Sequence, residues 1–234
     1  MHIRQSLEQI YRRLLDRYGL QHWWPADEPF EVIIGAILTQ SAAWTNVEQA
    51  IINLKEAGAL NSATLNRIPI NDLADLIHPS GYYNAKARKI KAFVERLEAS
   101  YGGSLEGMLA LDIDALRREL LSIYGIGQET ADSIILYAAG KPIFVIDAYT
   151  RRIMSRIGLT GDEGNYAALQ VLFMENLPSD EKLYNEYHAL LVRHGKEACK
   201  RSPLCLHCCL SDLCQFQRLT VTSGAICNPS PCGI

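Results

Sequence analysis

Apolar residues recur along this chain mostly at the spacing of one helix face. Leu7, Ile10, Tyr11, Leu14 and Tyr18 follow the i, i+3, i+4, i+7, i+11 rhythm that lines one side of an α-helix. Phe30 to Leu38 is apolar nearly all round and follows the acidic and proline start Asp27-Glu28-Pro29. That combination predicts a central helix buried on every side. Further helices are predicted over 71–78, 84–101, 114–123, 129–139, 148–157, 166–176 and 180–195, the last with the stripe Leu183, Tyr187, Leu190 and Leu191. Only Pro142–Ile146 reads as a strand, and five residues cannot make a sheet. The pattern predicts an all-α fold with an irregular tail over 220–234, where Gly224, Pro229, Pro231 and Gly233 fall.

The 234 residues, 48% apolar and 21% charged, suffice for one large domain or two lobes with a real core. A formal charge of −3 leaves a nucleic-acid partner open, because what matters is whether basic groups share a face. Two basic runs are candidates for such a face: Lys86, Arg88, Lys89, Lys91 and Arg96, and the stretch Arg193–Arg201. Either also fits a solvated helix face. No run reaches the roughly 18 unbroken apolar residues of a membrane span. Met1-His2-Ile3-Arg4-Gln5 lacks the apolar core of a secretory signal. A cytoplasmic, nucleoid-associated protein is expected. All seven cysteines follow position 198, and five fall between Cys199 and Cys214. A disulfide framework would spread its bridges through the fold, so clustering argues for a metal.

In Leu120-Leu121-Ser122-Ile123-Tyr124-Gly125-Ile126-Gly127-Gln128-Glu129-Thr130-Ala131 one helix ends, two glycines flank an apolar residue, and another helix begins. Glycines allow positive φ and leave their amides uncovered, and the new helix adds free N–H groups and its positive dipole end. Such amides can hold a phosphate without reading a base. The plainer reading is a tight helix–helix turn. Asp147 follows the apolar run Ile143-Phe144-Val145-Ile146 and precedes a helix. It is a natural N-cap, and the helix end that it caps keeps a carboxylate ionised, which suits a group facing positive charge. Cys199, Cys205, Cys208 and Cys214 form a C-x5-C-x2-C-x5-C array. Four thiolates suit zinc or a [4Fe–4S] cluster, and spacing alone leaves both open.

Gly125-Ile126-Gly127 with Thr130-Ala131, then an apolar run ending in Asp147, resembles the helix-hairpin-helix DNA glycosylases of the endonuclease III type. Gly81-Tyr82-Tyr83-Asn84-Ala85-Lys86-Ala87 and Arg193-His194-Gly195 match landmarks of that family, and the likeness runs from about Phe30 to Cys214. The resemblance implies two helical lobes with DNA bound across the cleft between them. One spans 26–141 with the hairpin at about 114–139; the other joins 1–25 to 142–219 and carries the cysteine loop at 199–214. It implies a monomer acting on double-stranded DNA that contains a damaged base, with Asp147 as the catalytic carboxylate. Gly125, Gly127, Gln128 and Thr130 would meet the DNA backbone, Lys86 would lie on the basic face, and Gln40 or Ser41 would fill the gap left by an extruded nucleotide.

The resemblance also favours a [4Fe–4S] cluster on the four cysteines, although the first gap is one residue shorter than usual in the family; Cys209, Cys227 and Cys232 are left over. Bifunctional members carry a strand-cutting lysine two residues after the second glycine. Here that residue is Glu129, and neither Gln128 nor Thr130 can form a Schiff base, so the product is expected to be an abasic site in an intact strand. Trp23-Trp24-Pro25, Gln40, Trp44 and Pro79-Ser80-Gly81-Tyr82-Tyr83-Asn84 look like the 3-methyladenine DNA glycosylase branch. Core filling is the plainer use of any single tryptophan. Yet an extruded base needs aromatic faces, and an indole attracts a cationic methylated base more than a neutral one. A base pocket of Trp23, Trp24, Pro25 and Trp44 is therefore expected, with Glu129 a candidate near the attacking water, although a solvated glutamate at a helix start is the plainer reading of that residue. The alternatives are a glycosylase for mismatched or oxidised bases and a non-catalytic helix-hairpin-helix DNA-binding protein.

Overall fold

Thirteen α-helices, and no strand, occur among the described residues. The structure, a computed structural model, describes residues 3–23, 28–161 and 165–222. The chain separates into two compact units: Trp24–Ile143, and Met1–Trp23 together with Phe144–Ile234.

In the unit 24–143, α2 (Pro29–Leu38) is the buried centre. Pro29 stands in its first turn, where a missing N–H costs nothing, and Val32 through Leu38 are buried without a break. α3 (Trp44–Glu56) buries Val47, Ala50, Ile51 and Leu54, a one-face stripe outside the predicted set. α4 (Ser62–Arg67) and α5 (Ile70–Leu76) pack on α6 (Tyr83–Tyr101), whose buried Ala87, Ile90, Phe93, Val94 and Leu97 keep helical spacing. α4 and α7 (Leu105–Leu109) are too short for a periodic stripe. Each starts at a side-chain cap instead: Asn61 accepts from Thr64 N–H and Ser104 from Gly107 N–H. α8 (Ile113–Leu121), capped by Asp112, and α9 (Gln128–Ser133) form the hairpin, and 134–138 continues α9 with wider π-type winding.

In the other unit, α1 (Ile3–Tyr18) buries Leu7, Ile10 and Leu14, and packs against α11 (Tyr166–Asn176) and α12 (Glu181–Glu197). Phe144 stacks on Phe173 at 3.9 Å between ring centres, with Tyr184 and Tyr187 edge-on to it at 5.4 and 5.8 Å. The Tyr187 hydroxyl donates to Leu7 O at 2.8 Å, so this buried phenol keeps a partner. The aromatic block anchors the segment leading to Asp147, which forms neither helix nor strand. α10 (Ala148–Ile157) then packs on α12 and on α13 (Gln215–Thr222). Helix thus continues past Thr220, where an irregular tail was expected; 223–234, with Cys227 and Cys232, lies outside the described residues. No helix of the described residues is long and apolar enough to cross a membrane.

Candidate active site and cysteine loop

At the hairpin, the N–H of Ile126 closes the turn on Ile123 O at 3.1 Å, and both isoleucines are buried. Gly125 holds φ at +81°, and a Cβ there would meet Lys89 Cγ at 2.3 Å, so backbone and space both require glycine. Gly127 differs. It is extended (φ −92°) as the N-cap of α9, and nothing lies within 4 Å of where its Cβ would stand. Arg117 of α8 pairs with both oxygens of fully buried Asp132 on α9, at 2.7 and 3.2 Å, a two-pronged contact that fixes the helices against each other.

Gln40 is tied into the same hairpin. Its Nε2 donates to Gly125 O at 3.1 Å and to Thr130 Oγ1 at 2.9 Å, while Lys89 Nζ donates to its Oε1. This corrects two expected DNA contacts: the Gln40 amide is spent inside the protein, and Thr130, 7% exposed, is its partner. Lys86 is a third correction. It is 2% exposed, and its Nζ donates to Leu38 O at 2.8 Å and Ser80 O at 2.6 Å. Burial, aided by the Lys89 charge, pushes its pKa down to about 8. Lys91 reaches Asn66 O, and Arg96 grips Glu119 at 2.6 and 2.9 Å. The basic run on α6 is therefore mainly a row of internal ties, with Arg88 exposed.

Ser41, expected as a gap filler, and Tyr82, which the pattern does not single out, stand at the ends of the segments that Lys86 pins. Ser41 and Tyr82 are exposed with φ of +55° and +48°, the left-handed region that side chains rarely enter. The signal for Tyr82 is the doubled tyrosine at a helix start. Tyr83 packs on His78 at 4.5 Å between ring centres, which leaves Tyr82 outside, 75% exposed.

Asp147 is the N-cap of α10 and 7% exposed. Its Oδ1 accepts the Thr150 N–H at 2.7 Å, and its Oδ2 lies 3.9 Å from His188 Nε2 on α12. Burial pushes the His188 pKa down, and the Asp147 charge works against that shift. Further along α10, Tyr149 packs where a Cβ on Gly195 would stand, at 2.4 Å. Arg152 donates to Cys199 O at 2.8 Å and Gly195 O at 3.0 Å. Arg156 donates to Cys199 Sγ at 3.3 Å, to Lys200 O at 2.6 Å and to Arg201 O at 2.9 Å. The helix with Asp147 at its head is thus bound along its length to the cysteine loop. Neither His188 nor these arginines stand out in the sequence, because their partners lie far along the chain.

In the loop, Cys199, Cys208, Cys209 and Cys214 are half-buried and Cys205 is buried. Cys208 Sγ lies 3.6 Å from His194 Nε2, and the Cys214 thiol donates to Arg156 O at 3.2 Å. Burial, with Cys209, Cys199 and Cys214 close by, pushes the Cys208 thiol up to about 12. So buried a thiol ionises readily only where a metal takes the proton's place. Clustered cysteines, with the Arg156 guanidinium donating to the Cys199 sulfur and the His194 ring against that of Cys208, fit a soft, thiolate-bound group. Among the described residues no three His, Cys, Asp or Glu side chains are grouped to hold a single ion.

Of the residues expected to line a base pocket, Trp23 and Trp44 fall among the described residues. Trp23 is half-buried with Lys196 Nζ 5.8 Å from its ring centre, and Trp44 is half-buried at the start of α3. Trp24 and Pro25 lie outside the described residues. Gln128 and Glu129 are exposed in the first turn of α9.

A family model of the HhH-GPD superfamily of base excision DNA repair proteins matches residues 34–179. A protein of Methanocaldococcus jannaschii named as a DNA repair glycosylase is 44% identical over 212 residues, 90% of this chain and 96% of that one. Endonuclease III of Thermotoga maritima is 31% identical over 216 residues, 91% of this chain and 93% of that one. In fold, the chain is similar to endonuclease III in a non-covalent DNA complex, with a TM-score of 0.81 at 22% identity over 95% of this chain and 100% of that one. It is also similar to the 3-methyladenine DNA glycosylase of H. pylori bound to 1,N6-ethenoadenine, with a TM-score of 0.69 at 24% identity over 84% of this chain and 98% of that one. The chain belongs to the HhH-GPD superfamily, endonuclease III type, and is a DNA glycosylase of base excision repair.

Proposed function

We propose that the protein hydrolyses alkylated bases, 3-methyladenine foremost, from DNA and leaves the strand uncut. Glu129 carries this reading. It is exposed at the start of α9, where the resemblance puts the lysine of strand-cutting members, and it offers no amine for a Schiff base. Asp147 is the catalytic carboxylate. The cap bond uses Oδ1 and leaves Oδ2 to face the cation that develops as the base departs. A methylated adenine already carries positive charge, so it leaves without a strong general acid. The faces of Trp23, Trp24 and Trp44, with Pro25, favour that cation over neutral bases.

Gly125, Gly127 and Gln128 hold the phosphate backbone, and Gly127, with open space around it, is the point of closest approach. Ser41 and Tyr82 take the gap-filling role that the engaged Gln40 cannot. Cys199, Cys205, Cys208 and Cys214 would hold a [4Fe–4S] cluster, which when bound supplies the cross-link that orders their loop. A lesion panel tests the reading: methyladenine should be released, strand scission should wait for alkali, and borohydride should trap no adduct. A trapped adduct would overturn the uncut product. Release of a mismatched base alone would overturn the substrate.

A further inference from the structure

We propose that His194, aligned by Tyr18, donates a hydrogen bond to the Cys208 sulfur and thereby tunes the electron affinity of a cluster held there. The proposal rests on the cluster assignment above and on three segments of one unit that meet at this imidazole. His194 is 1% exposed in the last turn of α12. Its own carbonyl accepts the N–H groups of Ala198 and Cys199 at 2.9 and 2.8 Å, which fixes the entry to the cysteine loop. Its ring bridges two side chains: Nδ1 lies 3.0 Å from the Tyr18 hydroxyl at the end of α1, and Nε2 lies 3.6 Å from Cys208 Sγ.

The two contacts determine each other. A phenol that donates to Nδ1 leaves the ring proton on Nε2, facing the sulfur. A doubly protonated ring presents the same proton. Only the reverse tautomer fails, because a bare Nε2 would then face a thiolate, acceptor against acceptor. Tyr18 therefore serves as the orienting partner that a metal-bound residue normally finds in its outer shell. An N–H···S bond stabilises the more negative, reduced state of an iron–sulfur cluster, so it raises the reduction potential. Arg156 on Cys199 is a second such donor. Its guanidinium also holds Lys200 O and Arg201 O, whereas the His194 ring meets the Tyr18 hydroxyl and the Cys208 sulfur.

The test compares the intact holoprotein with His194→Leu, His194→Gln and Tyr18→Phe, by voltammetry and by resonance Raman spectra in water and deuterium oxide. The wild type should show an Fe–S(Cys) stretch that shifts on deuteration. His194→Leu should lose that shift and lower the midpoint potential. Glutamine, which carries an N–H at similar reach, should restore most of both. Tyr18→Phe should give a smaller fall, because the orienting hydroxyl is gone. Unchanged potential and isotope shift in brown, iron-loaded His194→Leu would overturn the proposal. If that variant does not fold, Tyr18→Phe decides by the same two readings. Iron counted first separates the two levels: a colourless wild type would contradict the cluster itself, and a loaded protein with indifferent variants contradicts only the role of His194.

Discussion

The two units use their basic side chains in opposite ways. In 24–143, Lys86 ends on buried carbonyls, and the half-buried Lys89, Lys91 and Arg117 end on Gln40, on Asn66 O and on Asp132, beside a core that Ile90, Phe93, Val94 and Leu97 already build. In the unit with Asp147, Arg152 and Arg156 end on the carbonyls and a sulfur of a loop with little core of its own, where Leu204 and Leu206 are 54% and 73% exposed. The hairpin is therefore supported by packing and internal pairing. The cysteine loop depends on arginines from α10 and, on the proposed reading, on the group its thiols bind. Iron removal should accordingly loosen the loop and leave the hairpin intact, as hydrogen exchange would show.

The largest effect that would sharpen this contrast is expected at the hairpin ion pair. Asp132→Ala leaves Arg117 without its bidentate partner and should cost about 3–5 kcal/mol of stability in urea titrations. A loss below about 1 kcal/mol, the level of exposed pairs, would mean that packing alone holds α8 to α9. Next comes Lys86→Met, which abandons two buried carbonyls and should cost about 1–3 kcal/mol. Its effect on the salt dependence of DNA binding should be nil, whereas a lysine on a DNA face would reduce that slope by about one.

Lys86 also predicts a pH dependence. Its pKa is about 8 in the folded chain against the ordinary 10.5, so between those values the unfolded chain binds more protons. Stability should rise with pH across that window, and Lys86→Met should abolish the rise. A flat wild-type profile would remove this ionisation from the core. Smaller still is the contrast between the glycines. Gly125→Ala should lose about 1–2 kcal/mol to the left-handed backbone and must displace Lys89. Gly127→Ala should stay within about 0.5 kcal/mol yet weaken DNA binding. Equal stabilities for the two would contradict the turn geometry.

Much of the fold was legible because long helices carry stripes: α1, α2, α10 and α12 lie within a few residues of where the pattern puts them. α4 and α7 were not, since helices this short form through caps and packing rather than periodicity. The basic run on α6 shows how charge misleads. Lys86 stands in register with Ile90, Phe93, Val94 and Leu97, so its place on the buried stripe is visible once face is weighed before charge. The cap at Asp147 was legible from residue type and position. The pairing of Asp147 with His188, of Arg156 with Cys199 and of Tyr18 with His194 was not, because tertiary proximity of distant residues leaves no trace in local spacing.

The proposed carboxylate is tested most directly by single-turnover release of 3-methyladenine by wild type and Asp147→Asn. Asparagine keeps the size and the N-cap, so stability should change by no more than about 0.5 kcal/mol, and an abasic-site analogue should still bind. What is lost is the negative charge facing the departing cation. The variant should release methyladenine at least about a hundredfold more slowly than wild type, the usual effect of removing an electrostatic stabiliser. Release at the wild-type rate by a folded, DNA-binding Asp147→Asn would contradict the assignment of Asp147.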